Sequence, residues 1–186
     1  GEVEVTPVER GFATLFMNRT NRSGILKAGV IGGLAQEGTY KLDARFKKDV
    51  IAKRIQKIAQ HSDRISVHCE DALALLQNCG SLLPKKSLIY LDPPYYVKGR
   101  GLYRNYYDHE DHLAIAKKLQ SKSFKSSWVV SYDNATQIQE MYQLSRGVSY
   151  GLNYTAQKRY VGSEVMFFSR GLSISEDLIP QIRSAA

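Results

Sequence analysis

Ser87-Leu-Ile-Tyr-Leu-Asp-Pro-Pro-Tyr-Tyr96 is the stretch from which the fold is read. Its first half is a short apolar run of the kind found in a strand buried within a parallel sheet, and Pro93 and Pro94 then stop that strand. In open α/β sheets the carboxyl end of such a strand is where ligands bind. Two successive prolines fix φ and remove two backbone donors, so the turn is stiff and carbonyl oxygens are left unclaimed by local N–H groups. Asp92 adds a carboxylate acceptor and Tyr95 a flat π-face. Two acceptors can take both protons of an exocyclic amino group while the ring stacks on the tyrosine, so the corner suits a planar, amine-bearing ligand. The plainer alternative is a proline-stopped strand with an incidental capping aspartate.

Outward from this corner, short β-rich runs alternate with helical ones from Arg64 onward, which predicts an α/β fold with a mainly parallel sheet flanked by helices. Strands are expected at 64–69, 87–91, 127–132, 148–154 and 164–169, the last two close enough in sequence to pair antiparallel. Helices are expected near 71–78, 108–121 and 134–144. Asp108 stands where an N-cap should, with Asp111 three residues on, and Leu113, Ile115, Ala116 and Leu119 give that helix its buried face. Asp133 is expected to cap the next helix in the same way. Residues 1–63 are helix-like and irregular. Within them, Phe46, Val50, Ile51, Ile55, Ile58 and Ala59 recur at helical spacing, which predicts an amphipathic helix over 46–60. Its Lys47, Lys48, Lys53, Arg54 and Lys57 read as a solvated face, with nucleic-acid contact as the alternative.

Composition bounds the function. With 186 residues, 43% hydrophobic and 24% charged, the chain suits one globular domain and excludes a disordered or fibrous protein. No apolar run approaches the roughly 18 residues that cross a bilayer, and no secretory leader opens the chain, so no membrane partner is expected. Cys69 and Cys79 lack paired-ligand spacing, which argues against a disulfide scaffold or a zinc site and makes a reducing cytoplasm the expected compartment. A net charge of +8 favours polyanionic partners, nucleic acid first.

Two further segments carry that charge. Asn18-Arg-Thr-Asn-Arg-Ser-Gly-Ile-Leu-Lys27 holds Arg19, Arg22 and Lys27 among short hydrogen-bonding side chains and contains no acid, a mixture suited to phosphate positioning and base-edge reading. Arg19 and Arg22 are the stronger contact candidates, while Asn18 either reads DNA or braces its own loop. The stretch from Tyr95 to Tyr107 has five tyrosines, three basic residues, two glycines and no acid. Tyr96, Lys98 and Arg100 would either grip a displaced strand or belong to a partly buried aromatic lid. Ala28-Gly-Val-Ile-Gly-Gly33 lacks the Lys-Ser/Thr of a phosphate loop and reads as a turn. His109 and His112 have no third ligand at suitable spacing, so no metal is expected.

The Asp92-Pro-Pro-Tyr95 corner, the Phe16-Met-Asn-Arg-Thr-Asn-Arg-Ser-Gly24 segment and Val67-His-Cys-Glu-Asp-Ala72 together resemble the Dam-type DNA adenine-N6 methyltransferases over nearly the whole chain. The resemblance implies a partial Rossmann-like methyltransferase sheet, mostly parallel with a closing antiparallel hairpin. Residues 1–63 would be a helical and loop target-recognition region and 64–186 the catalytic region. It implies double-stranded DNA as partner and S-adenosylmethionine as cofactor. Asp92 and the Pro93 carbonyl would accept hydrogen bonds from adenine N6, with Pro94 stiffening the turn and Tyr95 stacking on the flipped base. Asp71 and the Ala72 amide, with Asp92, would hold the cofactor, Asp71 also being placed to cap the following helix. The family's Phe-x-Gly-x-Gly loop has no counterpart in residues 1–15, so the chain is expected to hold half of a cofactor site, as the later segment of a longer protein or a remnant would. Two other functions are carried beside DNA methylation: a DNA-binding module without catalysis, and a methyltransferase acting on an RNA base or a protein amide.

Overall fold

The computed structural model describes residues 5–25, 28–97, 106–154 and 160–175, in two units, Gly1–His68 and Cys69–Ala186. The first begins with α1 (Pro7–Thr20). Pro7 presets the first turn, Thr6 Oγ1 accepts from the Glu9 amide at 3.2 Å, and the Glu9 carboxylate accepts from the Thr6 amide at 2.9 Å. This reciprocal capping settles where the helix starts. The chain after α1 doubles back on itself: the Ile31 amide donates to the Thr20 carbonyl at 2.9 Å and the Arg22 amide to the Gly29 carbonyl at 3.1 Å. Gly32 and Gly33 take φ of +87° and +78° in the turn expected over 28–33, a conformation that an L side chain would strain. The amphipathic helix forms as α2 (Lys48–Ala59), yet its apolar face stays largely open, with Val50, Ile55 and Ile58 exposed at 48, 51 and 60%.

The second unit runs α3 (Ala72–Leu82), β1 (Leu88–Leu91), α4 (His109–Gln120), β2 (Ser127–Asp133), α5 (Thr136–Met141), β3 (Arg146–Tyr154) and β4 (Tyr160–Phe168). The sheet order is β1-β2-β4-β3. β1 and β2 are parallel, Leu91 opposite Val130, whereas β4 runs antiparallel to both β2 and β3. The mixed α/β architecture and the closing hairpin are as expected; the parallel part is a single pair among the described residues. The strand expected at 64–69 accounts for the shortfall. Ser62–Arg64 is one 3-10 turn, residues 65–71 carry no strand, and Ile65 and Val67 are 47 and 90% exposed. Alternation of apolar residues supplies only the propensity; a strand persists by pairing with a neighbouring strand, and the sheet among the described residues takes in no strand from this segment.

Alternation along the strands gives the sheet two unlike faces. Trp128, Val130 and Tyr132 of β2, with Leu91, Val165 and Phe167, meet Ile115, Ala116 and Leu119 of α4 and Ile138 of α5 in one buried cluster. The Trp128 indole N–H donates to the Leu119 carbonyl at 2.9 Å, tying sheet to helix. Asp108 caps α4 as expected, accepting from the Asp111 amide while Asp111 accepts from the Asp108 amide. The opposite face carries Tyr90, Ser131, Asp133, Glu164 and Tyr150, and Asp92, just past β1, meets Ser131 there.

Candidate active site

Asp92 is the first residue past β1 and is exposed. The buried Ser131 hydroxyl donates to its Oδ1 at 3.0 Å, and because that proton is committed, the Tyr90 hydroxyl 2.9 Å from Ser131 Oγ must be the donor to it. A relay from Tyr90 through Ser131 thus orients the carboxylate by hydrogen bonds without neutralising it. Among the described residues no lysine or arginine pairs with Asp92. An oriented, unpaired carboxylate beside the Pro93 carbonyl is a ready acceptor for amino protons.

Tyr95 is half-buried, and its hydroxyl donates to Glu164 Oε1 at 2.8 Å. Glu164 is 7% exposed, and its Oε2 accepts from the Tyr150 hydroxyl, also at 2.8 Å. Burial in the first place, then the hydrogen bond to Glu164, raises the Tyr150 pKa. Asp133 takes the next two backbone donors, its Oδ1 accepting from the Tyr96 amide at 2.7 Å and its Oδ2 from the Val97 amide at 2.9 Å. It therefore does not cap α5, whose N-cap is Ala135 with no side-chain bond. The local reading loses because two unsatisfied N–H groups just past the prolines compete for the same carboxylate.

Neither Ser131 nor Glu164 is visible as a site residue in the sequence. A signal for Glu164 existed: Gly162-Ser-Glu-Val-Met-Phe-Phe168 places one charge in an apolar strand, and a carboxylate buried there has to find donors. No such signal marks Ser131.

Tyr96 faces the other way. Its ring packs against the helix-side core 5.3 Å from the His112 ring, and its hydroxyl lies 2.9 Å from His109 Nδ1. His112 is 1% exposed, with Nδ1 3.1 Å from the Tyr132 hydroxyl and Nε2 buried without a hydrogen-bond partner. Burial lowers its pKa against the opposing pull of Asp133, Asp111 and Asp108. No group of three metal-ligating side chains occurs among the described residues.

At the start of α3, Asp71 Oδ1 accepts from the Ala74 amide at 3.0 Å, the capping geometry expected of it. Burial in the first place, then the Asp71 carboxylate, raises the pKa of the Tyr107 hydroxyl, with the Ala72 backbone acting in the opposite direction. A carboxylate next to a helix-first N–H is an acceptor and donor side by side, which fits the edge of an adenine ring.

In the first unit, Arg19 Nε donates to the Arg45 carbonyl at 3.0 Å. Arg19, Arg45, Lys47 and Arg54 line a cavity of about 270 Å³ together with Val50 and Ile51, with no acidic residue in its wall among the described residues. Arg22 is exposed outside that wall. The Asn18 side chain lies so close to Gly24 (φ +74°) that a Cβ there would come within 2.9 Å of Nδ2. Lys27, Lys98 and Arg100 lie outside the described residues. No helix among the described residues is long and apolar enough to cross a membrane.

Comparison with known proteins adds one match. The model of the D12 class N6 adenine-specific DNA methyltransferase family aligns with residues 3–158. No curated protein matches the chain.

Proposed function

The chain belongs to the D12 class N6 adenine-specific DNA methyltransferase family, and from that premise we propose that it methylates N6 of an adenine turned out of a DNA duplex, using S-adenosylmethionine. The observation that carries the reading is Asp92 at the strand end, exposed and oriented by Ser131, one turn from a tyrosine ring anchored at its far end by Glu164. Asp92 and the Pro93 carbonyl accept the two amino protons of the base, which leaves the nitrogen lone pair projecting from the ring as the nucleophile. Pro94 holds the corner stiff, so the acceptors need no rearrangement as the base arrives. Tyr95 stacks on the base, worth about 1–3 kcal/mol, which is comparable with the few kcal/mol that extrusion costs. Asp71 and the Ala72 amide hold the adenine edge of the cofactor, and Asp92 borders the same site. Bound S-adenosylmethionine supplies a methyl group already activated on a sulfonium, so no strong general base is required of the protein.

The DNA backbone is held by the first unit. Arg19, with Arg45, Lys47 and Arg54 around one cavity, suits phosphate, and Arg22 adds an exposed cation. Replacing Arg19 and Arg22 together is expected to flatten the plot of log affinity against log salt by about two units. An unchanged slope would remove both from the interface.

The activity itself is tested by incubating the chain with unmethylated DNA and labelled S-adenosylmethionine, digesting to nucleosides and following N6-methyladenine. Label in that nucleoside, absent with Asp92→Ala, is the expected result. DNA binding without transfer would leave a binding module, a reading supported by the unformed strand before Asp71; equal labelling of RNA or protein would change the acceptor.

A further inference from the structure

Asp133 on β2 and Glu164 on β4 are directly paired in the sheet register, and Tyr150 on β3 is the partner of Glu164 on the other side. Paired residues project to the same face, so these three side chains form one row across the polar face. Both carboxylates reach the same short segment. Asp133 binds the backbone amides that follow Tyr95, and Glu164 binds the hydroxyl at the far end of its ring. The tyrosine is therefore held at both ends.

The arrangement is costly for packing alone. A carboxylate at 7% exposure is tolerated because hydroxyl donors meet both its oxygens. Phenylalanine at 95 over an apolar residue at 164 would fill the same space without burying a charge. What the hydroxyl–carboxylate pair adds is a fixed direction for the long axis of the ring.

We propose that Glu164 is a positioning residue that presets where the Tyr95 ring lies for stacking on the target base. The inference rests on the reading of Tyr95 as the stacking surface. A ring ordered in advance spares the ordering cost when a base is captured, so loss of the anchor falls on DNA affinity, by about 2- to 10-fold, and leaves cofactor affinity alone. Gln at 164 keeps both bonds, with its carbonyl oxygen toward the Tyr95 hydroxyl and its amide N–H toward the Tyr150 oxygen.

The test has two arms on the full chain. In the first, tyrosines carry fluorine, and the Tyr95 resonance is identified by its loss in Tyr95→Phe. In Glu164→Ala that resonance is expected to narrow and move toward the free amino acid, and in Glu164→Gln to stay; an unmoved resonance in Glu164→Ala overturns the proposal. In the second, a duplex with one unpaired 2-aminopurine is titrated. Glu164→Ala and Tyr95→Phe are expected to bind it about 2- to 10-fold more weakly, with S-adenosylmethionine affinity unchanged and Glu164→Gln restored. Tyr95→Phe binding like the wild type overturns the anchor even if Glu164→Ala fails to fold, and a parallel loss of cofactor affinity would reduce Glu164 to a structural role. Failure of the stacking reading looks different: the wild type would leave 2-aminopurine fluorescence unquenched while the fluorine arm still decides the anchor.

Discussion

Along β2, Trp128, Val130 and Tyr132 turn to one face of the sheet and Ser131 and Asp133 to the other. The first set is closed off by α4 and α5, and its packing is apolar and aromatic, as in the near-parallel stack of Tyr142 on Phe167 with ring centroids 4.7 Å apart. The second set is a string of hydroxyls and carboxylates that ends at the 92–97 corner. The same strand thus serves stability on one side and geometry on the other, and the difference teaches where a substitution should register. A change on the helix face should be read in the unfolding curve, and one on the polar face in the reaction.

The largest separation is expected from Asp92→Ala. Removing the proposed acceptor of the base's amino protons should lower methyl transfer by about 10²–10³-fold, by analogy with removal of a single oriented hydrogen-bonding group elsewhere. Because Asp92 is exposed, thermal unfolding should shift by less than about 0.5 kcal/mol. A variant that unfolds instead would merge the two faces. On the helix face, Ile115→Ala should do the reverse. Ile115 is 1% exposed within the core cluster, and the truncation should cost about 2–5 kcal/mol in chemical denaturation while the folded fraction keeps its rate per molecule.

Ser131→Ala is a finer probe, because Ser131 is buried like a core residue but points to the polar face. It removes the donor that orients Asp92 and leaves the Tyr90 hydroxyl free to turn to solvent. The turnover number is expected to fall about fivefold, the worth of about 1 kcal/mol of hydrogen bonding, with a smaller change in unfolding free energy. If stability falls and turnover holds, Ser131 belongs to the packing.

The smallest effect concerns pH and lies on the helix face. Burial lowers the His112 pKa in the folded state below its ordinary value near 6.5, so the unfolded chain takes up the proton first as pH falls. The stability that neutral His112 represents is complete above the ordinary value and is lost as pH drops from there through the folded value. Melting curves between about pH 7 and 5 should show this decline, with His112→Gln flatter than the wild type. Identical slopes would mean that other groups govern the acid side.

What could be foreseen from the residues follows the same division. The corner at 92–95 was legible because its acceptor, its stiffening prolines and its aromatic ring are consecutive, and α4 because Asp108 and Asp111 announce its start. The closing hairpin was legible from two β-rich runs close in sequence. The segment at 64–69 misled because alternation records a propensity, while pairing depends on residues elsewhere. Asp133 misled for a related reason: a helix start is its nearest use, but the amides it binds are 37 and 36 positions away. Glu164 lies 69 positions from Tyr95, and only the folded sheet brings the two together. The face that hides apolar surface writes itself into local periodicity, and the face that holds the candidate site is assembled from distant single residues.

Recognition of an amino group by the Asp92 corner, as proposed, can be measured without any transfer of methyl. Two duplexes are compared, one with an unpaired adenine and one with an unpaired purine that lacks the exocyclic amine. The wild type should prefer adenine about tenfold, the worth of one hydrogen bond to a carboxylate, and Asp92→Ala should bind the two alike. Equal affinity of the wild type for both duplexes would contradict the account.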